Sequence, residues 1–433
     1  MADLLALSSR IIDSGVADEP VNRVTQELSE VADGIAVVES FSHVVSIDTG
    51  DGLVCFDASG VGTGAEATTA LRTWRTDPVD TLVYTHGHVD HVGGSGALLA
   101  DARERGHRPP RVAAHEAVAA RFDRYRRTDG WNRAINARQF GGVSRRAGLG
   151  IGAPKRFLPD DVAAPTTTFA HHLSLSVGGT AIELRHGRGE TDDHLWAWLP
   201  ASRAICAGDF VIWNFPNAGN PQKVQRYPLE WAQVLREMAS MGPELLLPAH
   251  GLPIGGADRV ALVLGEIAAA LETLVADTLA LMNDGASLDT VLHEVRVGPE
   301  VLERPWLRPL YDEPEFVVRN IWRLYGGWWD GDPSSLKPAP RADVAREVAT
   351  LAGGALLLAR RAGELADAGD LRLACHLAEL AADADPTDAE VHEVRARVYQ
   401  ARRDAETSLM AKGIYAGAAR ESRAAAEGPD ATG

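Results

Sequence analysis

The chain has 433 residues, more than a single hydrophobic core usually accommodates, so we expect two domains. Its 60 acidic residues outnumber 43 basic ones and give a formal net charge of −17. Because nucleic-acid binding needs a basic surface, this balance argues against a nucleic-acid partner. An anionic small molecule would have to be attracted by local positive charge, including that of bound metal ions.

The sequence gives no indication of a signal peptide or a membrane span. The first twenty residues lack the uninterrupted apolar stretch of a signal peptide, and no later segment has the composition of a membrane span. The cysteines, Cys55, Cys206 and Cys375, are odd in number and far apart, which argues against a disulfide framework. We therefore expect a cytoplasmic protein with reduced, mostly buried cysteines.

Strands and helices alternate over the first half of the chain. GIAVVES, HVVSIDTG, GLVCFDAS and DTLVYTH are rich in β-branched residues and predict strands, whereas GAEATTALRTWRT and SGALLADARERG predict helices. Further along, LEWAQVLREMASMG predicts an amphipathic helix that leads into the strand ELLLPAH. This order is typical of layered α/β packing.

The character of the sequence changes after residue 255. A long Ala/Leu-rich stretch predicts a helix, and residues 326–340 then concentrate Gly, Pro, Asp and Ser. Beyond them the pattern is helical only, with breaks at residues 368–370 and 385–388. We therefore predict one domain over residues 1–330, a helical domain over residues 335–424, and a disordered tail over residues 425–433.

The strongest local signal is the segment THGHVDH, which directly follows the predicted strand LVY. Neutral imidazole and carboxylate groups are both good zinc donors. In a turn that leaves a strand, His86 and His88 can converge on one ion, while Asp90 and His91 can face a second one. Gly87, Gly93 and Gly94 allow the backbone to pass close to this cluster.

Three further donors follow apolar strands. Glu190 lies in the loop after AIELRH, Asp209 ends the strand AICAG, and His250 ends ELLLPAHG. Loops at the ends of strands gather on one edge of a sheet, so these donors can join the first cluster. Asp193 and His194, beside Glu190, are candidates for orienting a metal ligand, as is Asp57 at the end of VCFDASG.

The order of these motifs over residues 30–255 resembles the metallo-β-lactamase superfamily. The resemblance implies a four-layer αβ/βα sandwich with two metal ions at one edge, most simply two zinc ions, although manganese or iron would also suit the oxygen donors. It further implies that Asp209 bridges the ions, and that Asp90, Asp209 and Glu190 take part in catalysis. The implied ligands of the first ion are His86, His88 and Glu190, and those of the second are Asp90, His91 and His250.

Glu190 stands where most members of that superfamily have His, and this feature resembles the class III alkylsulfatases. The segments YGGWWDGDPSSLKP, AGDLRLACHLAELAADADP and ARRDAETSLMAKGIYAGAARE resemble the helical dimerisation domain of that branch, which implies a homodimer. RYPLEW and GWNRAINARQFGG resemble its arginine-bearing segments. The candidate contacts to an anionic substrate are Arg226, Lys223, Asn217 and Asn220, with Asn136 and Arg138 from the second segment.

We therefore predict a dimetal hydrolase that activates a bridging water and cleaves an alkyl sulfate or a related anionic ester. Residues 216–228 differ from the alkylsulfatase pattern, so a thioester, a lactone or a β-lactam stays open as the substrate. A non-catalytic helical scaffold is the alternative from another class, and the seven metal donors argue against it.

Overall fold

The structure is a computed structural model that describes residues 3–140 and 156–428. These residues form two compact units. The first unit comprises residues 3–134 and 156–328, and the second comprises residues 135–140 and 329–428. Within the described part of the chain, none of the helices is long and apolar enough to cross a membrane.

The first unit contains a seven-stranded sheet whose strands lie side by side in chain order. Strands β1 to β4 pair in antiparallel fashion, and β4 to β7 pair in parallel. The strands are β1 (Leu28–Ala32), β2 (Ile35–Val38), β3 (Val44–Asp48), β4 (Leu53–Phe56), β5 (Val79–Val83), β6 (Arg111–His115) and β7 (Thr167–Phe169).

A second sheet of six strands has the order β13-β12-β11-β10-β9-β8. Strands β11 and β12 are parallel, and the other neighbours are antiparallel. The strands are β8 (His172–Val177), β9 (Thr180–His186), β10 (Leu195–Leu199), β11 (Ala204–Gly208), β12 (Leu245–Pro248) and β13 (Ile254–Gly255).

Ten helices of the described chain lie in the first unit. Helix α6 (Asp129–Phe140) begins there, but its last six residues belong to the second unit. The ten are α1 (Leu4–Ser14), α2 (Gly64–Trp74), α3 (Val89–Val92), α4 (Ser95–Glu104), α5 (Ala117–Arg127), α7 (Pro228–Ser240), α8 (Ala257–Asn283), α9 (Leu288–Glu294), α10 (Pro299–Leu302) and α11 (Pro314–Gly326).

The two sheets face each other across an apolar core, because each strand turns a row of branched side chains toward the other sheet. Val54 and Phe56 of β4 pack in this core with Leu184 of β9. The outer face of the first sheet is covered by α2, α4 and α5, and that of the second by α1, α7 and α8. The predicted four-layer αβ/βα sandwich is therefore confirmed.

The regular elements in the described residues of the second unit are all helices, as predicted. Alanine-rich faces let its helices pack closely, and Ala362, Ala374 and Ala381 are fully buried between them. Asp370 and Asp388 cap the helices that follow the two predicted breaks. The helices are α12 (Pro333–Leu336), α13 (Arg341–Ala352), α14 (Ala355–Asp367), α15 (Leu371–Ala384), α16 (Ala389–Ala405) and α17 (Leu409–Glu427).

The predicted C-terminal tail begins inside a helix. Helix α17 continues to Glu427, so residues 425–427 are helical rather than tail. Residues 429–433 lie outside the described residues.

Leu184 tests the inter-sheet core, because its side chain is fully buried in the middle of that core. We expect Leu184→Ala to lower the free energy of unfolding of the first unit by about 2–5 kcal/mol, since the lost contacts leave a cavity. Urea unfolding followed by tryptophan fluorescence measures this free energy. The signal reports mainly on the first unit, because Trp329 is the sole tryptophan of the chain that falls in the second unit. Leu262→Ala, on an exposed position of α8, is the control and should change it by less than about 0.5 kcal/mol.

Candidate metal centre

The donor residues follow strands whose C-terminal ends meet at one edge of the sandwich. Asp57 follows β4 and the THGHVDH segment follows β5, which are parallel neighbours in the first sheet. Asp209 follows β11 and His250 follows β12, which are parallel neighbours in the second sheet. Parallel pairing in both sheets therefore brings these loops together, as the sequence predicts.

The THGHVDH segment turns directly from strand to helix. His88 is the N-cap residue of α3, so Asp90 and His91 lie in its first turn. His86 and His91 are fully buried, whereas His88 and Asp90 are partly exposed. Gly94 allows the tight turn, because a Cβ at this position would lie 2.0 Å from the carbonyl oxygen of Ala58.

The donor atoms form two groups that could each hold a metal ion. His86, His88 and Asp209 present donor atoms that lie within 4.8 Å of one another. Asp90, His91 and His250 do the same in the second group. The division of the imidazoles between the groups is the one that the sequence implies.

Asp209 lies between the two groups and turns one oxygen toward each. Its Oδ2 lies 3.9 Å from His86 Nε2. Its Oδ1 lies 3.3 Å from His91 Nε2 and 3.5 Å from His250 Nε2. A carboxylate in this position suits a ligand shared by two cations.

Glu190 lies beside the first group, with Oε1 3.5 Å from His88 Nδ1. The same oxygen accepts hydrogen bonds from Asn217 Nδ2 at 2.6 Å and from Arg226 Nη1 at 2.5 Å. The other oxygen, Oε2, is buried without a hydrogen-bond partner. Glu190 therefore has one oxygen engaged by protein and one available to a ligand.

Several other donor atoms of the site are buried without hydrogen-bond partners. Such atoms are costly in a folded protein unless something outside the chain satisfies them. A divalent cation would do so, and imidazole and carboxylate are suitable donors for it. The atoms are His86 Nε2, His91 Nε2 and Asp209 Oδ1.

The electrostatics of the histidines also fit a cation. Burial holds the pKa values of His86 and His88 well below the usual range, so both rings are neutral near pH 7 and can offer a lone pair. Burial acts in the same direction on His91, but three surrounding carboxylates outweigh it and raise the pKa of His91 well above 6.5. A metal ion that takes the place of this proton would satisfy the same carboxylates. The three are Asp209, Asp57 and Asp90.

Asp57 fixes the ring of His91. Its Oδ2 lies 2.7 Å from His91 Nδ1, and both of its oxygens accept hydrogen bonds from Thr85, at 2.8 Å from the backbone N and 2.7 Å from Oγ1. This contact leaves His91 Nε2 directed at Asp209, in agreement with the predicted orienting role of Asp57. The backbone of Asp57 is in the left-handed region, with φ of 60°. Such a conformation is strained for a residue with a side chain and recurs at functional sites.

The predicted orienting residues Asp193 and His194 also contact the site. Asp193 Oδ2 accepts a hydrogen bond from the backbone N of Gly87, between the first two histidines, at 3.2 Å. His194 Nε2 accepts one from the backbone N of Asp209, also at 3.2 Å. These hydrogen bonds hold the backbone of the donor loops, and the ring of His194 also lies against that of His86, with ring centres 4.6 Å apart.

Arg121 is a functional residue that the sequence reasoning missed. Its guanidinium is buried and donates from Nε to Asp193 Oδ2 at 2.6 Å, and it also pairs with Asp192. The signal was available, because Arg121 shares a helix face with the buried Val118, Phe122 and Tyr125 of α5. A charged residue on the buried face of an amphipathic helix needs a partner.

The predicted substrate contacts fall into different environments. Asn217 and Arg226 engage Glu190, as described above. Asn220 is buried in a turn, where its Oδ1 accepts a hydrogen bond from the backbone N of Gln222 and its own N donates to Asp312. Lys223 is half-buried, with Nζ 5.7 Å from the ring centre of Phe157. Asn136 and Arg138 lie on the part of α6 that belongs to the second unit.

Two family models match this chain. Residues 38–250 match the metallo-β-lactamase superfamily, and residues 287–425 match alkyl sulfatase dimerisation. Residues 38–250 are therefore a metallo-β-lactamase superfamily region and residues 287–425 an alkyl sulfatase dimerisation region, so the predicted resemblance is confirmed.

Individual relatives of this chain are named alkylsulfatases. A linear primary-alkylsulfatase of a Pseudomonas species is 25% identical over 373 residues, which cover 84% of this chain and 69% of that protein. An (R)-specific secondary-alkylsulfatase of Pseudomonas is 24% identical over 338 residues, covering 74% of this chain and 50% of the relative. This chain thus spans about half to two-thirds of the length of these relatives.

A solved structure agrees with the fold. The stereoselective inverting sec-alkylsulfatase Pisa1 from Pseudomonas superposes with a TM-score of 0.80 at 22% identity. The superposition covers 92% of this chain and 66% of that one. The similarity therefore extends over both the sandwich and the helical region.

Asp57 gives a test of the second group of donors. Asn is nearly isosteric with Asp and tolerates the left-handed backbone, so Asp57→Asn should fold. We expect it to weaken binding of one metal ion about 10- to 100-fold, because the carboxylate partner of His91 is lost. Metal per chain, measured by elemental analysis after dialysis against a graded chelator, reports the change.

Asp48→Asn is the control for this experiment. Asp48 ends β3 and pairs with Arg75, so its loss should leave the metal content unchanged. Equal metal retention by both variants would contradict the role given to Asp57.

Proposed function

We propose that this chain is a hydrolase that cleaves an alkyl sulfate or a related anionic ester at a centre of two zinc ions. The observation that carries the proposal is the position of Asp209, whose two oxygens face two separate groups of donors. The alkylsulfatase names of the relatives support the sulfate ester as substrate.

The proposed ligands divide as the geometry suggests. One ion is held by His86, His88 and Glu190, and the other by Asp90, His91 and His250. Asp209 is shared between the two. Nitrogen donors in both groups favour zinc, while the three carboxylate ligands would also accept manganese or iron.

Two divalent cations, when bound, supply the acidified water and the electrophile that ester hydrolysis near neutral pH requires. The residues of the chain then orient the reactants and handle protons. Asp90 is the most exposed carboxylate of the site, with 27% of its side chain accessible, and its Oδ2 lies 3.7 Å from both His91 Nε2 and His250 Nε2. We assign to Asp90 the acceptance of the proton that the attacking water releases. Asp209 and Glu190 would hold the two halves of the centre together as ligands.

The local charge suits an anionic substrate although the whole chain is acidic. Two divalent cations would balance the charges of four carboxylates, Asp57, Asp90, Glu190 and Asp209. Arg226 and Lys223 then leave the centre with net positive charge, which attracts a sulfate group over a short range. Burial lowers the pKa of Lys223 to about 8, so its ammonium form still predominates near pH 7.

We propose Lys223 as the residue that contacts the sulfate head group. It lies on the same loop as Arg226 and is less buried than that residue. Asn220 shapes the loop on which Lys223 lies.

Other esters form the alternative function. The same two-metal chemistry would cleave a thioester, a lactone or a β-lactam. The match of residues 287–425 to the alkyl sulfatase dimerisation model favours the sulfate ester.

Hydrolysis of dodecyl sulfate tests the proposal directly. We expect the zinc-loaded protein to release sulfate and dodecanol, and His88→Ala to lose at least about 100-fold in rate, because an ion that loses a ligand is misplaced. Ion chromatography of sulfate measures the rate, and a chelator should abolish it reversibly.

His293→Ala is the matched control, since this histidine is exposed on α9, outside both donor groups. It should retain the wild-type rate. Absence of sulfate release by a protein that binds two zinc ions would reject simple alkyl sulfates and favour the alternative esters.

We also propose that the chain forms a homodimer through its helical unit. The dimerisation model covers most of this unit, and its surface carries exposed apolar side chains. Leu351 is 89% exposed at the end of α13, and Leu357 is 50% exposed at the start of α14. Apolar side chains this exposed are suited to burial against a second copy.

Sedimentation of the full chain tests the dimer. We expect the wild type to sediment as a dimer and Leu351→Glu/Leu357→Glu to shift toward the monomer, because charges would be buried at the contact. Leu262→Glu, at an exposed position of the first unit, is the control and should stay dimeric. A monomeric wild type would contradict the assembly.

A further inference from the structure

Arg226 is one of the largest fully buried side chains of the described chain. Its Nη1 lies 2.5 Å from Glu190 Oε1 and donates to the backbone oxygen of Asn217 at 2.8 Å. Only 2% of the Arg226 side chain is exposed, so its ion pair with Glu190 is shielded from water. An arginine held in this way is directed at a carboxylate of the protein.

Asn217 completes the contact from another direction. Its Nδ2 donates to the same oxygen of Glu190, at 2.6 Å. Glu190 Oε1 thus accepts two hydrogen bonds, while Oε2 is buried without a partner. The two donors fix the carboxylate rotation, so that Oε2 is the oxygen left for a cation.

The backbone of Arg226 is fixed as firmly as its side chain. Asn320 of α11 donates from Nδ2 to the oxygen of Arg226 at 2.9 Å, and its Oδ1 accepts from the nitrogen of Arg226 at 3.4 Å. Asn320 is itself buried. Arg226 is therefore anchored before any ligand arrives.

Arg226 and Asn217 are, we infer, positioning residues that act through Glu190, holding its Oε1 so that Oε2 is presented to the metal ion of the His86 and His88 group. The inference rests on the proposed metal centre and changes the role of two predicted substrate contacts. The guanidinium also offsets the charge of a carboxylate that is buried close to Asp209.

Zinc affinity separates this role from a contact with substrate, because no substrate is present in the measurement. We expect Arg226→Met to bind the zinc ion of the His86 and His88 group about 10- to 100-fold more weakly than the wild type, as measured by competition with a chromophoric chelator. Asn217→Ala should show a smaller loss at the same ion. Arg226→Lys keeps the charge and should recover part of the affinity.

Arg72→Met is the matched control. Arg72 is also a nearly buried arginine in an ion pair, with Asp101 at 2.6 Å, but it contacts none of the proposed ligands. The Arg72→Met variant loses a comparable ion pair but should bind zinc with the affinity of the wild type. The visible spectrum of the cobalt-substituted protein gives a second readout, since its bands should shift in Arg226→Met and not in Arg72→Met.

A double-mutant cycle with Glu190→Gln is the decisive comparison. If Arg226 acts through Glu190, Arg226→Met should cause little further loss of affinity in the Glu190→Gln background. Full additivity of the two losses, or zinc binding by Arg226→Met equal to that of Arg72→Met, would overturn the inference while the metal centre stands. A wild type that binds no zinc would overturn the proposed function and the inference together. Circular dichroism of each variant checks folding, and Asn217→Ala carries the test if Arg226→Met does not fold.

Discussion

The burial of several carboxylates in one place is the constraint on which the rest of the first unit depends. Asp57, Glu190 and Asp209 are each 4% exposed or less at the edge where the loops of both sheets meet. Moving one such group out of water costs several kcal/mol unless a cation or hydrogen bonds compensate it. Hydrogen bonds from Thr85 and Asn217 and the charge of Arg226 compensate part of this cost, and metal ions would compensate the remainder.

This constraint explains why helices far from the donors in sequence contribute to the site. Helix α5 contributes Arg121, which holds Asp193 and through it the backbone of Gly87. Helix α11 contributes Asn320, which holds the backbone of Arg226. The sheets determine where the donor loops lie, and these buried polar residues determine which way the donor side chains turn. The chemistry of the site thus depends on packing in two layers of the sandwich.

Much of the fold could be predicted from the sequence, because periodicity and composition are local properties. Strands β2 to β5, β9, β11 and β12, together with helices α2, α4, α7 and α8, coincide with predicted segments to within a few residues. Strands β1 and β6 and helix α5 were not predicted. RVAAH of β6 is short and contains two alanines, which have no strong strand preference, and it becomes a strand because β5 pairs with it. Tertiary pairing of this kind is not visible in five residues of sequence.

The candidate site, like the fold, could be predicted only in part from the sequence. The donors lie in compact motifs that follow apolar strands, so a metal centre could be predicted from spacing alone. The roles of the polar residues in the 216–228 loop could not be predicted. A basic residue near a metal site is equally compatible with binding an anion and with forming an internal ion pair. The sequence predicts that Arg226 contacts the substrate, yet its partner in the structure is Glu190, 36 residues earlier in the chain. Only the folded chain brings these two residues together.

The pairing of Arg226 with Glu190 also bears on how a carboxylate can occupy the proposed ligand position. An ionised carboxylate adds a negative charge that a neutral imidazole would not, next to the buried Asp209. The charge of Arg226 cancels that addition, so the Glu190 and Arg226 pair presents an oxygen donor with no net charge. Replacing Glu190 alone by a neutral donor would leave Arg226 as an uncompensated buried cation, which costs more than the loss of one ligand contact. The two residues therefore form one buried ion pair, and a change at one constrains the residue that the fold accepts at the other.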